Sequence, residues 1–464
     1  MSLSTNPTPT RGRNLAKVVG ASMVGTTVEW YDFFLYNSAA ALVFPKLFFP
    51  NSDPLTGTLL AFLTYAIGFG ARPIGGLVFG HYGDRLGRKK LLVISLVLMG
   101  VATFGIGLLP TYAAIGVAAP LLLTLLRLVQ GFALGGEWGG AVLIVSEHGD
   151  PRRRGFWASF PQAGVPAGNL LATAILAILA AVQSDAAFES WGWRIPFLLS
   201  AVLVVIGLWI RLSVAESPVF LAAAERAGTD AVKEHAPVVE VVRRSWRQLL
   251  IAMGARMAEN MSYYVITAFI LVYLTTGLGL ARSVGLNALL IAAGVHLVTI
   301  PLWGALSDRI GRKPVYLFGA IGMGVWGFIF FVLLDTESFW VITLATTVGL
   351  VLHGAMYGPQ AAFFSELFGT RVRYSGASIG YQLASIAAGA LAPIIAVALL
   401  NAYDSTVPVS LYMAGMCVIT VIAVAVARET RGSSLGDGTP PDLPAARAAG
   451  DTAGDTVSTV SSKG

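Results

Sequence analysis

Ionisable side chains lie inside stretches of this chain that are otherwise apolar. Glu29 and Asp32 stand three apart in the run 17–43, so a helix there presents both on one face. Arg127 and Glu137 fall in the run 117–147, where Gln130 and Glu137, seven apart, share a face. Arg256, Glu259, Asn260 and Tyr263 form a polar stripe at helical spacing in the run 248–275. Charges in hydrocarbon are costly and mark proton relays, ion pathways or ion pairs. A carboxylate facing an arginine stays ionised; separated from it in a dry cavity, it takes up a proton. Arg256 can grip a carboxylate of a solute through two hydrogen bonds, or it can neutralise Glu259 one turn away.

Uncharged polar groups recur at helical spacing in other apolar runs. His353, Tyr357 and Gln360 follow an i, i+4, i+7 pattern; Gln162 and Asn169 are seven apart; Tyr381 and Gln382 are adjacent. They can bind a polar solute at mid-membrane or hydrogen-bond neighbouring helices. His296 reads as structural, and Arg72 as a snorkelling or interface residue. No nucleophile–base set occurs, so no enzymatic role is expected. The lone Cys417 and the sparse histidines give no metal-site spacing. The glycines from Gly131 to Gly140 suit close helix packing, since no GKS/T sequence follows a strand. No ATP-binding motif is present and no cofactor is expected.

These residues must be positioned by membrane helices. The chain is 55% hydrophobic and 12% charged, against about 25% charged for a soluble domain. Twelve apolar segments are long enough to cross a hydrocarbon core of roughly 30 Å: 17–43, 57–82, 90–109, 117–147, 155–182, 192–212, 248–275, 283–306, 313–334, 338–366, 373–400 and 408–427. The fold class is therefore an all-α membrane protein. Of its 31 Lys and Arg, Lys46, Arg194 and Arg282 lie on one side and Arg72, Arg127 and Arg256 inside segments; the rest crowd the other side. That bias places both termini in the cytoplasm. The basic excess is anchoring charge, and nucleic-acid binding is not expected.

The chain repeats itself. Gly80-His-Tyr-Gly-Asp84-Arg85-Leu-Gly87-Arg88 returns as Gly304-Ala-Leu-Ser-Asp308-Arg309-Ile-Gly311-Arg312, each copy joining two apolar segments. Ser146-Glu147 and Ser365-Glu366 close corresponding segments before arginines. The repeat implies two pseudo-symmetric six-helix bundles, 17–212 and 248–427. Around them stand a cytoplasmic N-terminus (1–16), a polar linker (213–247) and a disordered tail (428–464). The repeated turns, Asp308 with Asp84, read as gates, with Asp84 capping the next helix or accepting bonds from arginine across the bundles. Gly83 and Gly87 permit a tight turn.

Glu29-Trp-Tyr-Asp32-Phe-Phe-Leu-Tyr36, Arg72-Pro-Ile-Gly75-Gly76, the Asp84-Arg85-Leu-Gly87-Arg88-Lys89 turn, Arg127-x-x-Gln130-Gly131 and Gly135-Gly-Glu137-Trp138-Gly-Gly140 together carry a resemblance. The chain resembles the major facilitator superfamily, and within it the metabolite:H+ symporter family, from Val18 to Arg431. The resemblance implies the two-bundle transporter fold, a cell-membrane location and a monomer. It implies proton-coupled import of a small polar metabolite, such as shikimate or a dicarboxylate, by alternating access. In similar sugar porters an Asp on helix 1 pairs with an Arg on helix 4, which puts Asp32 with Arg127; Glu137 is a second carrier. Tyr36 and Trp138 join the substrate-binding candidates. Alternatives are proline or betaine uptake, and proton-driven efflux, for which segment 5 lacks the Gly-Pro step.

Overall fold

The structure, a computed structural model, describes residues 10–86, 88–135, 145, 151–213, 243, 245–368 and 373–433. Among the described residues, twelve helices follow the twelve apolar runs. The first bundle comprises α1 (Thr10–Leu42), α2 (Pro54–Leu86), α3 (Arg88–Leu108), α4 (Ala118–Leu134), α5 (Arg154–Val182) and α6 (Arg194–Ser213). The second comprises α7 (Trp246–Tyr264, continued through π-helical turns at Val265–Phe269 and Tyr273–Gly277), α8 (Arg282–Ile310), α9 (Arg312–Leu334) and α10 (Phe339–Leu367). It ends with α11 (Arg373–Ala384, a π-helical turn Ser385–Ala390, then Ala392–Tyr403) and α12 (Val407–Val426). Eight helices among the described residues are long and apolar enough to cross a membrane alone. Outward-facing side chains such as Leu121, Val332 and Ile422 are apolar and exposed, as a lipid-facing surface requires.

Small residues bring the helices together. A methyl group on Gly131 would stand 1.8 Å from the Gly68 carbonyl oxygen, and one on Gly75 1.9 Å from that of Phe132. The α2–α4 contact is thus backbone on backbone, the close approach that glycine permits. The bundles meet through α5 against α8 and α10, α1 against α7, and α2 against α11.

The repeated turn is tighter than expected, because the helix before it runs through most of the motif in both copies. Gly80 to Leu86 continue α2 as Gly304 to Ile310 continue α8, so Gly83 makes no turn: a glycine inside a helix costs only about 1 kcal/mol, too little to end a helix of 33 residues. In the second copy the bend falls at Gly311, where φ is 112°, a value open to glycine and strained for other residues. Gly87, Glu137, Trp138, residues 214–242 of the linker and 434–464 of the tail lie outside the described residues. So do the side chains around Gly80, Asp84, Arg85 and Arg88.

The tail corrects a second expectation. Residues 428–433 pack on the bundle instead of leaving it. Glu429 accepts the Arg312 and Lys313 amides at 2.8 and 3.1 Å, which caps α9, and Thr430 donates to Glu366 at 2.7 Å. Helix-terminal amides that lack partners supply the reason.

Candidate substrate and proton site

In the first bundle, Asp32 and Arg127 are joined through two intermediates. Thr103 of α3 donates to Asp32 Oδ2 at 2.9 Å; Gln130 Nε2 donates to the Thr103 hydroxyl at 2.7 Å; Arg127 Nη1 donates to Gln130 Oε1 at 2.8 Å. The expected pairing is therefore a relay, because Gln130, one turn from Arg127, takes the place of the carboxylate. The Arg127 guanidinium lies 4.7, 4.3 and 4.5 Å from the ring centres of Phe33, Tyr36 and Tyr65, which hold a cation where water is scarce. Tyr36 so serves Arg127, and its hydroxyl meets Thr64 at 2.5 Å. Glu29 is buried one turn before Asp32.

Arg72 does not snorkel. It is 3% exposed and stacks on Phe69 and Phe33 at 3.9 and 4.5 Å. Its Nε and Nη2, and Asp32 Oδ1, find no hydrogen-bond partner among the described residues. A small cavity of about 10 Å³ lies between them, lined by Asp32, Arg72, Arg127, Gln130 and Met99.

The second bundle holds a denser cluster. Arg256 Nη1 bonds Glu259 Oε2 at 2.9 Å and Gln360 Oε1 at 3.0 Å, its Nε reaches Ser385 at 3.3 Å, and its guanidinium lies 3.3 Å from the centre of the Tyr381 ring. Gln360 Nε2 donates to Glu259 Oε2 and to the Tyr316 hydroxyl, both at 3.0 Å. His353 Nε2 lies 3.2 Å from Glu259 Oε1, and its Nδ1 lies 2.9 Å from His296 Nε2. His296, read from sequence as structural, is thus the far end of a polar chain. A second cavity of about 10 Å³ is lined by Arg256, Glu259, Asn260, Tyr357 and Trp30 among others. Across the interface, Asn169 donates to Tyr263 at 3.2 Å, and Gln162 approaches Gln360 at 3.5 Å. Gln382 reaches the Gly135 carbonyl at 3.5 Å, away from both cavities.

Among the described residues, contacts join the bundles on both faces of their interface. On the face carrying both chain ends, Asp308 accepts the Gly155 and Phe156 amides, each at 2.8 Å. Asp308, the counterpart of Asp84, thus caps a helix, α5 of the opposite bundle. Arg312 bonds Asp308 at 2.6 Å and Glu366 at 3.2 Å, and Arg154 bonds Glu366 at 2.8 Å. The Arg309 side chain is exposed and stays out of this latch. A methyl on Gly304 would stand 2.6 Å from the Gly155 carbonyl oxygen. On the opposite face Arg282 meets Asp185 at 2.8 Å. Between the faces, Phe34–Tyr263 and Phe33–Tyr264 ring contacts at 5.4 and 6.2 Å seal the middle.

The sequence pattern of the Major Facilitator Superfamily matches residues 22–379 and 252–451. The chain belongs to the major facilitator superfamily. It is 40% identical over 412 residues to a shikimate transporter of Escherichia coli K12, covering 88% of this chain and 94% of that one. It is 42% identical over 433 residues to an inner membrane metabolite transport protein of the same strain, covering 92% and 97%. A proline/betaine transporter of that strain is 32% identical over 431 residues, covering 92% and 86%. A crystal structure of a D-xylose–proton symporter overlays with a TM-score of 0.70 at 20% identity, covering 90% of this chain and 99% of that one. Membership makes this superfamily protein a multi-pass membrane transporter and not an enzyme.

Sequence reasoning passed over Thr103, Tyr316 and Ser385. Each is a single hydroxyl in an apolar helix, without a periodic signal of its own. Arg154, Glu366 and Glu429 were visible as matched landmarks of the repeat, which was the available signal for a latch.

Proposed function

We propose that this transporter imports a small carboxylate-bearing metabolite together with a proton, in the manner of a symporter in the cytoplasmic membrane with both termini inside. The observation that carries this reading is Arg256. It is a buried guanidinium fixed by Glu259, Gln360, Ser385 and the Tyr381 ring, at the wall of a cavity that both bundles line. Such a group, planar and always charged, suits a carboxylate. The neighbouring amides and tyrosine hydroxyls suit the hydroxyls of a polyhydroxy acid. Asp32, with its uncommitted oxygen facing the other cavity, is the proton carrier proposed for the first bundle, with Arg127 held apart from it. Glu29 and Glu137 are its proposed accessories.

Each cavity is about 10 Å³, far below the roughly 300–1,000 Å³ typical of ligand sites, and contacts join the bundles on both faces. Substrate entry then requires the bundles to rock apart on one face at a time. The test is uptake into proteoliposomes of radiolabelled shikimate and α-ketoglutarate under an imposed inward proton gradient. Accumulation that collapses with a protonophore supports the reading. Uptake indifferent to the gradient would leave a facilitator.

A second reading has one observation in its favour. Trp30, Tyr263, Tyr264, Tyr357 and Tyr381 surround Glu259 in the shared cavity, and aromatic faces with a carboxylate attract an ammonium. A zwitterion such as proline or betaine would place its ammonium there and its carboxylate on Arg256. Competition of labelled uptake by betaine, but not by shikimate, would select it.

A further inference from the structure

Four buried groups form an unbroken line in the second bundle: Arg256, Glu259, His353 and His296, which are 2%, 3%, 1% and 0% exposed. The hydrogen positions follow from the acceptors. Glu259 Oε2 already takes bonds from Arg256 and Gln360, so its Oε1 faces His353 Nε2 at 3.2 Å as a carboxylate. A bare ring nitrogen there would set two lone pairs against each other, so His353 carries its hydrogen on Nε2. In the neutral ring its Nδ1 is then an acceptor and takes the Nε2–H of His296 at 2.9 Å. His296 Nδ1 is left bare, and it has no partner among the described residues. The line has one empty acceptor, at its far end.

We infer that Glu259, His353 and His296 form a second proton relay, which delivers a proton to Glu259 and thereby releases Arg256 to bind the carboxylate of the substrate. The inference rests on the symport reading for its purpose, and on the geometry alone for its chemistry. A proton bonding to His296 Nδ1 lets the Nε2–H of His296 pass to His353 Nδ1, and the Nε2–H of His353 pass to Glu259 Oε1. Three bonds to hydrogen form and two break. Both rings end neutral in their opposite tautomers, and the added charge is cancelled on the carboxylate. No oxidant or other reactant is needed.

The consequence falls on Arg256. With Glu259 neutral, the guanidinium loses its counter-ion, yet Gln360, Ser385 and the Tyr381 ring still hold it in place. A positioned cation without a counter-ion at a cavity wall is a site for an anion. Proton and anion would then bind as a neutral set, which couples them. Other titratable or charged groups facing the line are Tyr263 of α7, whose ring lies 4.9 Å from His353 and 5.8 Å from His296, Tyr316 of α9 through Gln360, and Tyr357 of α10 at 5.2 Å from His353. α5 brings the amides of Gln162 and Asn169.

The test uses the full chain in lipid without substrate. Nitrogen-15 NMR of labelled histidine in alkaline buffer should find His353 protonated at Nε2 and bare at Nδ1; the reverse tautomer overturns the relay. Infrared difference spectra between alkaline and acid buffer should contain a carboxylic-acid carbonyl component that Glu259→Gln removes and Asp32→Asn leaves. In a pH jump, His353→Gln and His296→Gln should slow that component at least tenfold. A component untouched by Glu259→Gln, or rates unchanged in both histidine variants, overturns the proposal. Wild-type uptake of labelled shikimate and α-ketoglutarate is measured in parallel. Failure of gradient-driven uptake with the Glu259 component intact sinks the symport reading and keeps the relay; the opposite pattern does the reverse.

Discussion

Arg154 Nη1 lies 2.8 Å from Glu366 Oε1, and the two side chains are 3% and 0% exposed. Arg154 opens α5 in one bundle and Glu366 closes α10 in the other, so the bond spans the seam. The same oxygen lies 3.2 Å from Arg312, and Glu366 Oε2 takes the Thr430 hydroxyl. One buried carboxylate thus ties together both bundles and the chain that follows α12.

Arg154→Gln should open the face that carries the chain ends. Removing one partner of a buried pair costs about 3–5 kcal/mol, and about 1.4 kcal/mol already means a tenfold change in population. The reporter is Ser159→Cys, at a buried site against Gly304, in a background where the lone Cys417 is alanine. Maleimide labelling from that face should speed up about tenfold or more. An unchanged rate would show that the ion pair does not hold the gate.

Gly304→Ala should act on the same gate by volume. Its new methyl would meet the Gly155 carbonyl oxygen at 2.6 Å and Ser159 Cβ at 2.9 Å. Both neighbours are anchored on a helix and cannot swing aside as a flexible side chain would. We expect substrate exchange to fall at least tenfold, with ligand-induced thermal stabilisation retained. Exchange at wild-type rates would mean that the two helices separate more readily than their packing suggests.

Thr103→Val should uncouple the first bundle. The substitution keeps shape and removes the donor to Asp32 Oδ2 and the acceptor for Gln130. A buried polar group left unmatched costs about 1–3 kcal/mol, so gradient-driven uptake should drop about tenfold. Thr103→Ser, which keeps the hydroxyl, should recover most of it. Equal activity of the two variants would remove the relay from the coupling path.

Arg256→Lys should weaken substrate affinity despite its retained charge. Lysine lacks the planar fork that reaches Gln360, Ser385 and the Tyr381 face together. A rise in KM of about tenfold or more is expected, with kcat less affected. A variant with wild-type KM would move the anion site elsewhere.

The fold was legible because its signals are local and repeated. Twelve apolar runs and a duplicated turn specify the bundles before any contact is known, and Arg256 and Glu259 pair because three residues along a helix are neighbours. The site was legible only where polarity is periodic, as at His353, Tyr357 and Gln360. What brings Thr103 to Asp32 and His296 to His353 is the packing of different helices, and one isolated Thr or His carries no mark of its future neighbour. The π-helical turns at Val265–Phe269 and Ser385–Ala390 were hidden for another reason. An extra residue per turn shifts an apolar pattern too little to be seen against an apolar background.

Asp308 on the α5 amides has a thermodynamic consequence. When that face parts, the two carboxylate oxygens and the two backbone N–H groups each exchange one protein partner for a water molecule. Such an exchange nearly conserves the number of hydrogen bonds, so its net free energy is small. A seam of interlocked apolar side chains would instead charge the whole cost of wetting to every cycle. Closing this face with groups that water can imitate keeps the open and shut forms near balance, which leaves the direction of travel to be decided by what occupies the centre.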